Sequence, residues 1–406
     1  MGLRSWLQPK VITDEMHRAT LFEIVFDLVF VFALTRVTSF MNQRPTPLTL
    51  TQGFIDLLLL WISWLTYAWL HNQARADIGV IRAGTTTAMA AVFVAGLAIP
   101  SAWGSTGKIT SPLILALAYI TLRALHSILY TLAAAGNRRL HITLKLYAVT
   151  TVLSWPPLIA GAILGGTTQT VLWATALGID YLGGYLSTRL SGWPLHSPSH
   201  FSERHSLVLI IALGESLISV GAGAGTARPH PDVVVAALLA FLSTVCLWRL
   251  YSESAAVVAE QALTRQTGIR RSRMGGNAYS RAHFPLILGI VYIALGIEQV
   301  LAELARARLS AGIDARLSWT ATAALFGGAT LYLLGRVVFL RLTTRTVTPE
   351  QLFAPAIALL LLPAARELPS LAALGLFTAF LIALAVYEHS VTPALVSDEG
   401  DAITPP

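Results

Sequence analysis

The sequence predicts an all-α, polytopic integral membrane protein with about twelve transmembrane helices. Of its 406 residues, 55% are hydrophobic and only 12% are charged, whereas a soluble domain carries about 25% charged residues. Apolar runs of about 20 residues recur along the whole chain, and each is long enough to span a bilayer. A lipid-exposed backbone must satisfy its own hydrogen bonds, so each run is expected to be a helix.

The predicted spans follow one another with mostly short connections. No cleavable signal peptide is expected, because the first apolar run is too long for one and no small-residue cleavage site follows it. The predicted spans are 20–41, 50–71, 81–102, 112–132, 144–164, 168–188, 206–223, 232–251, 283–301, 318–340, 351–365 and 370–387.

The distribution of Lys and Arg predicts the orientation in the membrane. With the N-terminus inside, the inner connections carry more than twice as many Lys and Arg residues as the outer ones, which is the positive-inside pattern. Twelve spans then place both termini in the cytoplasm. The net charge of +7 is interpreted as a topology signal with some attraction to anionic membrane lipids. Nucleic acid is not an expected partner, because no extended soluble basic domain exists to hold it.

The chain divides into two halves of six spans each. We expect a cytoplasmic lead at 1–19, a first half at 20–190, a second half at 191–389 and a disordered acidic tail at 390–406. A weak internal repeat would relate the halves by an axis along the membrane normal, since both start on the same side; a chance match is the alternative. The positions that match at a constant interval are Glu15, His17 and Asp27 with Glu203, His205 and Glu215.

Carboxylates deep in apolar runs are the strongest functional signal. A carboxylate in hydrocarbon is costly unless it faces protein or water. Glu23 and Asp27 are four residues apart and share one helix face, and Glu215 lies near the middle of the seventh span. If the repeat is real, Asp27 and Glu215 face one another, and at least one should hold a proton at neutral pH. We predict both as proton carriers or general acids; helix-locking ion pairs are the structural alternative.

Arg123 and His126 lie three residues apart near the middle of the fourth span. Arg does not lose its proton in proteins, so Arg123 needs a carboxylate partner. The candidates are Asp27, Glu215 and Asp180. A purely structural ion pair is equally consistent with the sequence, and His126 is expected to be a hydrogen-bonded interior histidine or a relay.

A histidine-rich segment precedes the seventh span. His196, His200, Glu203 and His205 could supply zinc ligands, but the proline in their midst and the irregular spacing argue against one ligand face, so no metal and no cofactor are predicted. Glu203, Arg204 and His205 are instead expected to begin the seventh helix. There Glu203 suits the positive helix dipole, and Arg204 and His205 lie at the inner interface.

Two further features concern the ninth and second spans. His283 opens the ninth span and is a plausible relay or gate, since histidine titrates near neutral pH. Glu298 is expected to reach outward from the far end of the same span. Trp61, Trp64 and Trp69 are interpreted as packing and an interfacial belt.

Three blocks of the sequence resemble one known family. LFEIVFDLVFVFAL, HFSERHSLVLIIALGESL and AHFPLILGIVYIALGIE are similar to blocks of the bacterial low-temperature-requirement A family, from about residue 17 to 389. Ser206 departs from the family, which more often has Gly there. The resemblance implies a polytopic protein of the bacterial inner membrane but no substrate. The positions of this chain that match the family's blocks and are carried over from it are Glu23, Asp27, His200, Glu203, Arg204, His205, Glu215, His283, Pro285 and Glu298.

Two main functional hypotheses remain open at this point. The first is a proton-linked transporter or channel-like protein, with Asp27 and Glu215 as carriers. The second is an intramembrane enzyme in which one of these carboxylic acids acts on a lipid or isoprenoid. A lipid-organising protein with purely structural charges is a third. The residues predicted to surround the substrate or proton path are Glu23, Arg123, His126, Asp180, Glu203, Arg204, His205, His283 and Glu298.

Overall fold

The computed structural model describes residues 17–103, 110–134, 137–190, 193–224, 230–309 and 316–401. This part of the chain is almost entirely helical and contains no β-strand; Arg316 and Pro369 form an isolated β-bridge. The prediction of an all-α protein is confirmed. The helices are α1 Leu21–Gln43, α2 Pro47–Gln73, α3 Gly79–Ala98, α4 Thr110–Ala133, α5 Arg138–Leu164, α6 Gly166–Leu190, α7 Pro198–Ala224, α8 Pro231–Arg249, α9 Ala256–Arg265, α10 Gly268–Met274, α11 His283–Leu309, α12 Trp319–Thr322, α13 Gly328–Thr343, α14 Pro349–Glu367 and α15 Ser370–Asp401.

Within the described ranges, nine helical segments are long and apolar enough to cross a membrane. They identify the chain as a multi-pass membrane protein. The other predicted spans, at 168–188, 206–223 and 351–365, coincide with α6, α7 and α14. The nine segments are Leu21–Gln43, Pro47–Gln73, Gly79–Ser101, Thr110–Ala133, Leu140–Leu164, Pro231–Arg265, Gly268–Ala307, Trp319–Thr343 and Ser370–Ser390.

One predicted boundary differs from the structure. Helix α7 begins at Pro198, eight residues before the predicted span, because the polar residues before 206 are enclosed by protein and so continue the helix. Helix α15 ends at Asp401. The disordered tail from 390 stays a prediction, and 402–406 lie outside the described residues. So does the lead up to residue 16, which includes Glu15 of the suggested repeat.

Helix α11 is the centre of the bundle. It contacts α1, α2, α7, α8, α13 and α15, and most of it is buried. Gly289 on α11 and Gly328 on α13 meet backbone to backbone, since a Cβ at Gly289 would lie 2.6 Å from the carbonyl oxygen of Gly328. Small residues of this kind let membrane helices approach closely. Packing around α11 therefore fixes the rotation of α1 and α7, which carry the buried charges.

Helix α1 begins with a capping box. The Thr20 hydroxyl accepts a hydrogen bond from the Glu23 amide at 3.3 Å, and Glu23 Oε2 accepts one from the Thr20 amide at 2.8 Å. Such a pair satisfies amides that have no partner within the helix. It also fixes the Glu23 side chain at the start of α1, with its second oxygen turned toward α7.

Candidate functional site

Two carboxylates on α1 share a single arginine from α7. Arg204 donates from Nη1 to Glu23 Oε1 at 2.7 Å and from Nη2 to Asp27 Oδ1 at 2.6 Å. All three side chains are almost completely buried. Glu23 and Asp27 can share one guanidinium because they lie one helical turn apart. We call Glu23, Asp27 and Arg204 the shared-arginine cluster.

Glu23 is held as an ionised carboxylate. Its Oε1 accepts from Arg204 and from His200 Nε2, the latter at 2.8 Å. Its Oε2 accepts from the Thr20 amide and from the Thr20 hydroxyl at 2.9 Å. Four donors directed at one carboxyl group favour its charged form.

The protonation of His200 follows from Asn72 on α2. The His196 amide donates to Asn72 Oδ1 at 2.8 Å, which orients the Asn72 amide group. Asn72 Nδ2 therefore donates, and it reaches His200 Nδ1 at 3.3 Å. His200 Nδ1 is then an acceptor and Nε2 carries the hydrogen that it donates to Glu23. These contacts are satisfied by a neutral His200.

His71 on α2 is also satisfied as a neutral ring. Its Nδ1 lies 3.2 Å from Arg204 Nη1, which can only donate. The hydrogen is then on Nε2, which lies 3.1 Å from the Thr85 hydroxyl. His71 and His200 therefore line the cluster without adding a positive charge.

Asp27 differs from Glu23 in having one unused oxygen. Its Oδ1 accepts from Arg204 and from Trp64 Nε1, the latter at 2.7 Å. Its Oδ2 is buried and has no hydrogen-bond partner within the described residues. A carboxylate oxygen in that position is poorly solvated, whereas a protonated one is not charged. Asp27 Oδ2 is therefore the available place for a proton.

The charges of the cluster do not balance without that proton. Two carboxylates face one guanidinium, and the two histidines in contact are satisfied when neutral. A net negative charge buried in a medium of low dielectric constant is costly. Uptake of one proton by Asp27 makes the group neutral, so the arrangement can bind and release a proton.

His17, Glu23 and His200 also have the spacing of a metal site. One ligand atom from each lies within 4.8 Å of the others. Burial and the nearby His200 lower the pKa of His17, which favours the neutral ring that a metal requires. Glu23 Oε1, however, is already bound by Arg204, and a metal cation there would compete with the guanidinium. We assign no metal to these residues.

Asp27 and Glu215 do not face one another, contrary to the prediction. Asp27 pairs with Arg204, whereas Glu215 lies about 16 Å farther along α7 at 1.5 Å per residue. The buried Glu215 carboxylate interacts electrostatically with Glu298 on α11. Glu298 does not reach outward as expected; it is buried and accepts from Asn42 Nδ2 at 2.5 Å. Glu23 and Asp27 thus lie near the start of α1, whereas Glu298 binds Asn42 near the end of α1 and Glu215 lies in the second half of α7.

Arg123 forms a second buried ion pair. Of its three candidate partners, the structure selects Asp180, with Arg123 Nη2 to Asp180 Oδ1 at 2.6 Å. Tyr119 donates its hydroxyl to Asp180 Oδ2 at 2.5 Å, and the Tyr147 hydroxyl lies 2.5 Å from Arg123 Nη2. His126, one turn further on α4, packs edge-on against Tyr147. This group is balanced in charge, unlike the shared-arginine cluster.

The remaining predicted residues occupy different environments. Arg204 and His205 are both fully buried within the protein, and their position at the inner interface stays a prediction. His205 packs against His283 with ring centroids 5.0 Å apart, and His283 Nε2 lies 2.8 Å from the Tyr251 hydroxyl. Glu203 is half-buried and accepts from the Ala19 amide at 2.9 Å.

Comparison with known proteins agrees with this architecture. The family described as "Bacterial low temperature requirement A protein (LtrA)" matches residues 18–386. The chain belongs to the LtrA family. It is also similar to the uncharacterized protein RA0937 of Rhizobium meliloti (strain 1021), with 25% identity over 399 residues, 95% of this chain and 91% of that protein. No solved structure matches the chain.

Three residues of α2 complete the site of this LtrA protein and were not predicted as site residues. Trp64, interpreted from sequence as packing, binds Asp27, while His71 and Asn72 contact Arg204 and His200. The adjacent His71-Asn72 pair at the end of an apolar span was the available signal. Which face of α2 turns toward α1 depends on packing, so these contacts were not readable from sequence.

Proposed function

We propose that this LtrA-family protein is a proton-linked membrane transport protein in which Asp27 takes up and releases the transported or coupling proton. The observation that carries the proposal is the shared-arginine cluster, in which two carboxylates face one guanidinium and Asp27 Oδ2 has no donor among the described residues. Buried ionisable groups in membrane helices commonly mark proton relays. A cluster that is neutral with one bound proton, and charged without it, can couple proton binding to a change of conformation.

A short path leads from the cluster to the start of α1. His17 is half-buried, and its ring lies 5.2 Å from that of His200, centroid to centroid. His200 in turn binds Glu23. A proton can enter from this end when His200 Nδ1 exchanges its hydrogen bond from Asn72 for a water molecule shared with His17. His200 Nε2 then passes its hydrogen to Glu23, which shares Arg204 with Asp27.

From Asp27 toward the C-terminal end of α1, apolar packing closes the proton path. Phe30, Leu34 and Val37 of α1 are buried beyond Asp27. Glu298, which Glu215 influences electrostatically, binds Asn42, and Asn42 is about 22 Å from Asp27 along α1 at 1.5 Å per residue. In the proposed cycle the structure is the state open toward the start of α1, and Glu215 with Glu298 receives the proton in the other state.

The proposal includes the topology expected from sequence. The twelve long helical segments cross the bacterial inner membrane, in halves 20–190 and 191–389, with both termini in the cytoplasm. The excess of Lys and Arg in the predicted inner connections supports this orientation. The start of α1, and with it the open path through His17, then faces the cytoplasm.

An intramembrane lipid enzyme remains the alternative, and one observation favours it. A largely apolar cavity beside α6 is lined by Asp180, as a lipid-processing site would require. Asp180, however, is paired with Arg123 and is not a free acid. Neither Asp27 nor Glu215 lines that cavity. Transport therefore agrees better with the position of the titratable groups.

Proton flux in liposomes tests the proposal. The protein is reconstituted with an internal pH-sensitive dye, and a potassium–valinomycin potential is imposed. Wild type is expected to carry protons above the level of empty liposomes. Asp27→Asn should reduce this flux at least tenfold, since the amide cannot bind the proton, and Glu215→Gln should reduce it as well.

Asp56→Asn is the matched control. Asp56 is also buried and accepts from a tryptophan, Trp103 Nε1, at 2.8 Å, but no arginine is paired with it in the described structure. This variant should conduct like wild type. Flux in Asp27→Asn equal to that of wild type, or an equal loss in Asp56→Asn, would contradict the assignment of the proton to Asp27.

A further inference from the structure

A cavity among α2, α4, α5 and α6 lies apart from the shared-arginine cluster. Its volume is about 100 Å³, less than the roughly 300–1,000 Å³ of a typical small-molecule site, so it has room for a segment of a hydrocarbon chain whose remainder extends through the open side. Most of its wall is apolar or aromatic, which suits a hydrocarbon chain. The wall includes Trp61, Ile62, Leu65, Trp69, Tyr147 and Trp193.

The cavity runs along α6 and opens through the side of the bundle. Asp180, Gly184 and Thr188 line it at intervals of four residues, so it follows one face of α6 for about 12 Å. Tyr181 lines it too and is 46% exposed. In a membrane protein that exposed face meets lipid, so a chain can enter sideways without crossing water.

Two arginines contact the ring of Tyr185, which lines the cavity near the C-terminus of α6. Arg281 lines the cavity and lies 4.8 Å above the Tyr185 ring, and Arg189 lies 4.9 Å from the same ring. Arg281 also donates to Asn277. Within the described structure no carboxylate forms an ion pair with either arginine. Their positive charge is therefore available to an anionic group, and arginine suits phosphate because its donors form a planar fork.

We propose that this cavity binds one anionic phospholipid from the surrounding bilayer, with an acyl chain along α6 and the phosphate between Arg189 and Arg281. The apolar wall and side opening select a membrane lipid over a soluble anion, and the two arginines select an anionic headgroup over a zwitterionic one. This site does not depend on the proton-transport proposal, because it shares no residue with the shared-arginine cluster.

Gly184 gives a direct way to fill the cavity. A Cβ at this position would meet only the Tyr147 ring, at 3.7 Å, which is ordinary contact. Gly184→Leu therefore places a side chain in the space of the acyl chain without striking the backbone. Gly178 on the same helix has nothing within 4 Å of its Cβ and does not line the cavity, so Gly178→Leu is the matched control.

Native mass spectrometry of the purified full chain measures the binding. After delipidation, the protein is exposed to palmitoyl-oleoyl phosphatidylglycerol or to phosphatidylcholine with the same chains. We expect wild type to retain one phosphatidylglycerol, at least tenfold more than phosphatidylcholine. Arg189→Gln with Arg281→Gln should reduce phosphatidylglycerol retention at least tenfold. Gly184→Leu should abolish retention of both lipids, and Gly178→Leu should match wild type.

Three results would overturn the proposal. They are equal retention of the two lipids by wild type, unchanged phosphatidylglycerol retention in the double arginine variant, and displacement of the lipid by excess inorganic phosphate. The double arginine variant leaves Gly184 unchanged, so misfolding of the glycine variant leaves the arginine test decisive. Proton flux is not measured, so failure of the transport proposal would leave these results unaffected.

Discussion

Replacing Glu23 and Asp27 together by Gln and Asn is expected to lower the free energy of unfolding by about 3–5 kcal/mol, the usual cost of leaving a buried charge without its partner. Arg204 is fully buried and cannot release its proton, so it stays charged. Asp27→Asn alone should cost about 1 kcal/mol or less, since Glu23 still neutralises Arg204. The loss of unfolding free energy in Arg204→Met should fall between these two values, because Glu23 and Asp27 can bind protons once the arginine is gone.

Unfolding in mixed detergent micelles, followed by circular dichroism, measures these differences. The double variant should lose more than the sum of Glu23→Gln and Asp27→Asn, since the two sites are coupled through one guanidinium. Asp77→Asn, in the partly exposed Arg75–Asp77 pair, is the control and should cost about 1 kcal/mol or less. Additive effects of the two substitutions would contradict a shared arginine.

Asp180→Asn is expected to destabilise the protein by about 3–5 kcal/mol, and Arg123→Met by less. Arg123 is buried and paired only with Asp180 among the carboxylates of the described structure, and it remains charged when its partner becomes an amide. Asp180, left without arginine, can take up a proton and keep its hydrogen bond with Tyr119. The asymmetry arises because aspartate can be neutralised and arginine cannot.

The same unfolding measurement distinguishes this pair from a weak ion pair. Arg249→Met removes the arginine of the exposed Arg249–Glu253 pair and serves as the control, with an expected change of about 1 kcal/mol or less. An Arg123→Met variant as unstable as Asp180→Asn would show that packing of the arginine side chain, and not its charge, stabilises α4 against α6.

The buried carboxylates were predictable from sequence, but their partners were not. The four-residue spacing of Glu23 and Asp27 placed both on one face of α1, and the need of Arg123 for a carboxylate reduced its partners to three. Arg204 was expected to begin the seventh helix because the apolar run starts at 206, whereas the helix starts at Pro198. Hydropathy identifies the part of a helix that lipid could surround. It does not identify polar residues at the start of the helix that are enclosed by other helices.

The rotation of each helix about its own axis was also not predictable from the sequence. Asp27 and Glu215 were expected to meet if the repeat is real, yet Asp27 turns toward Arg204, and Glu215 lies about 16 Å farther along α7 than that arginine. The contacts that α11 makes with α1 and α7 set those rotations. They depend on tertiary packing between segments far apart in the chain, which spacing within one helix does not encode.

Infrared difference spectroscopy across a pH titration tests the central claim most directly. The protein is reconstituted in lipid, and the carbonyl stretch of protonated carboxylic acids is followed in wild type, Asp27→Asn, Glu23→Gln and Asp56→Asn. The account predicts a titrating carboxylic acid band that disappears in Asp27→Asn and persists in Asp56→Asn. A band that persists unchanged in Asp27→Asn would show that the proton binds elsewhere and would contradict the account.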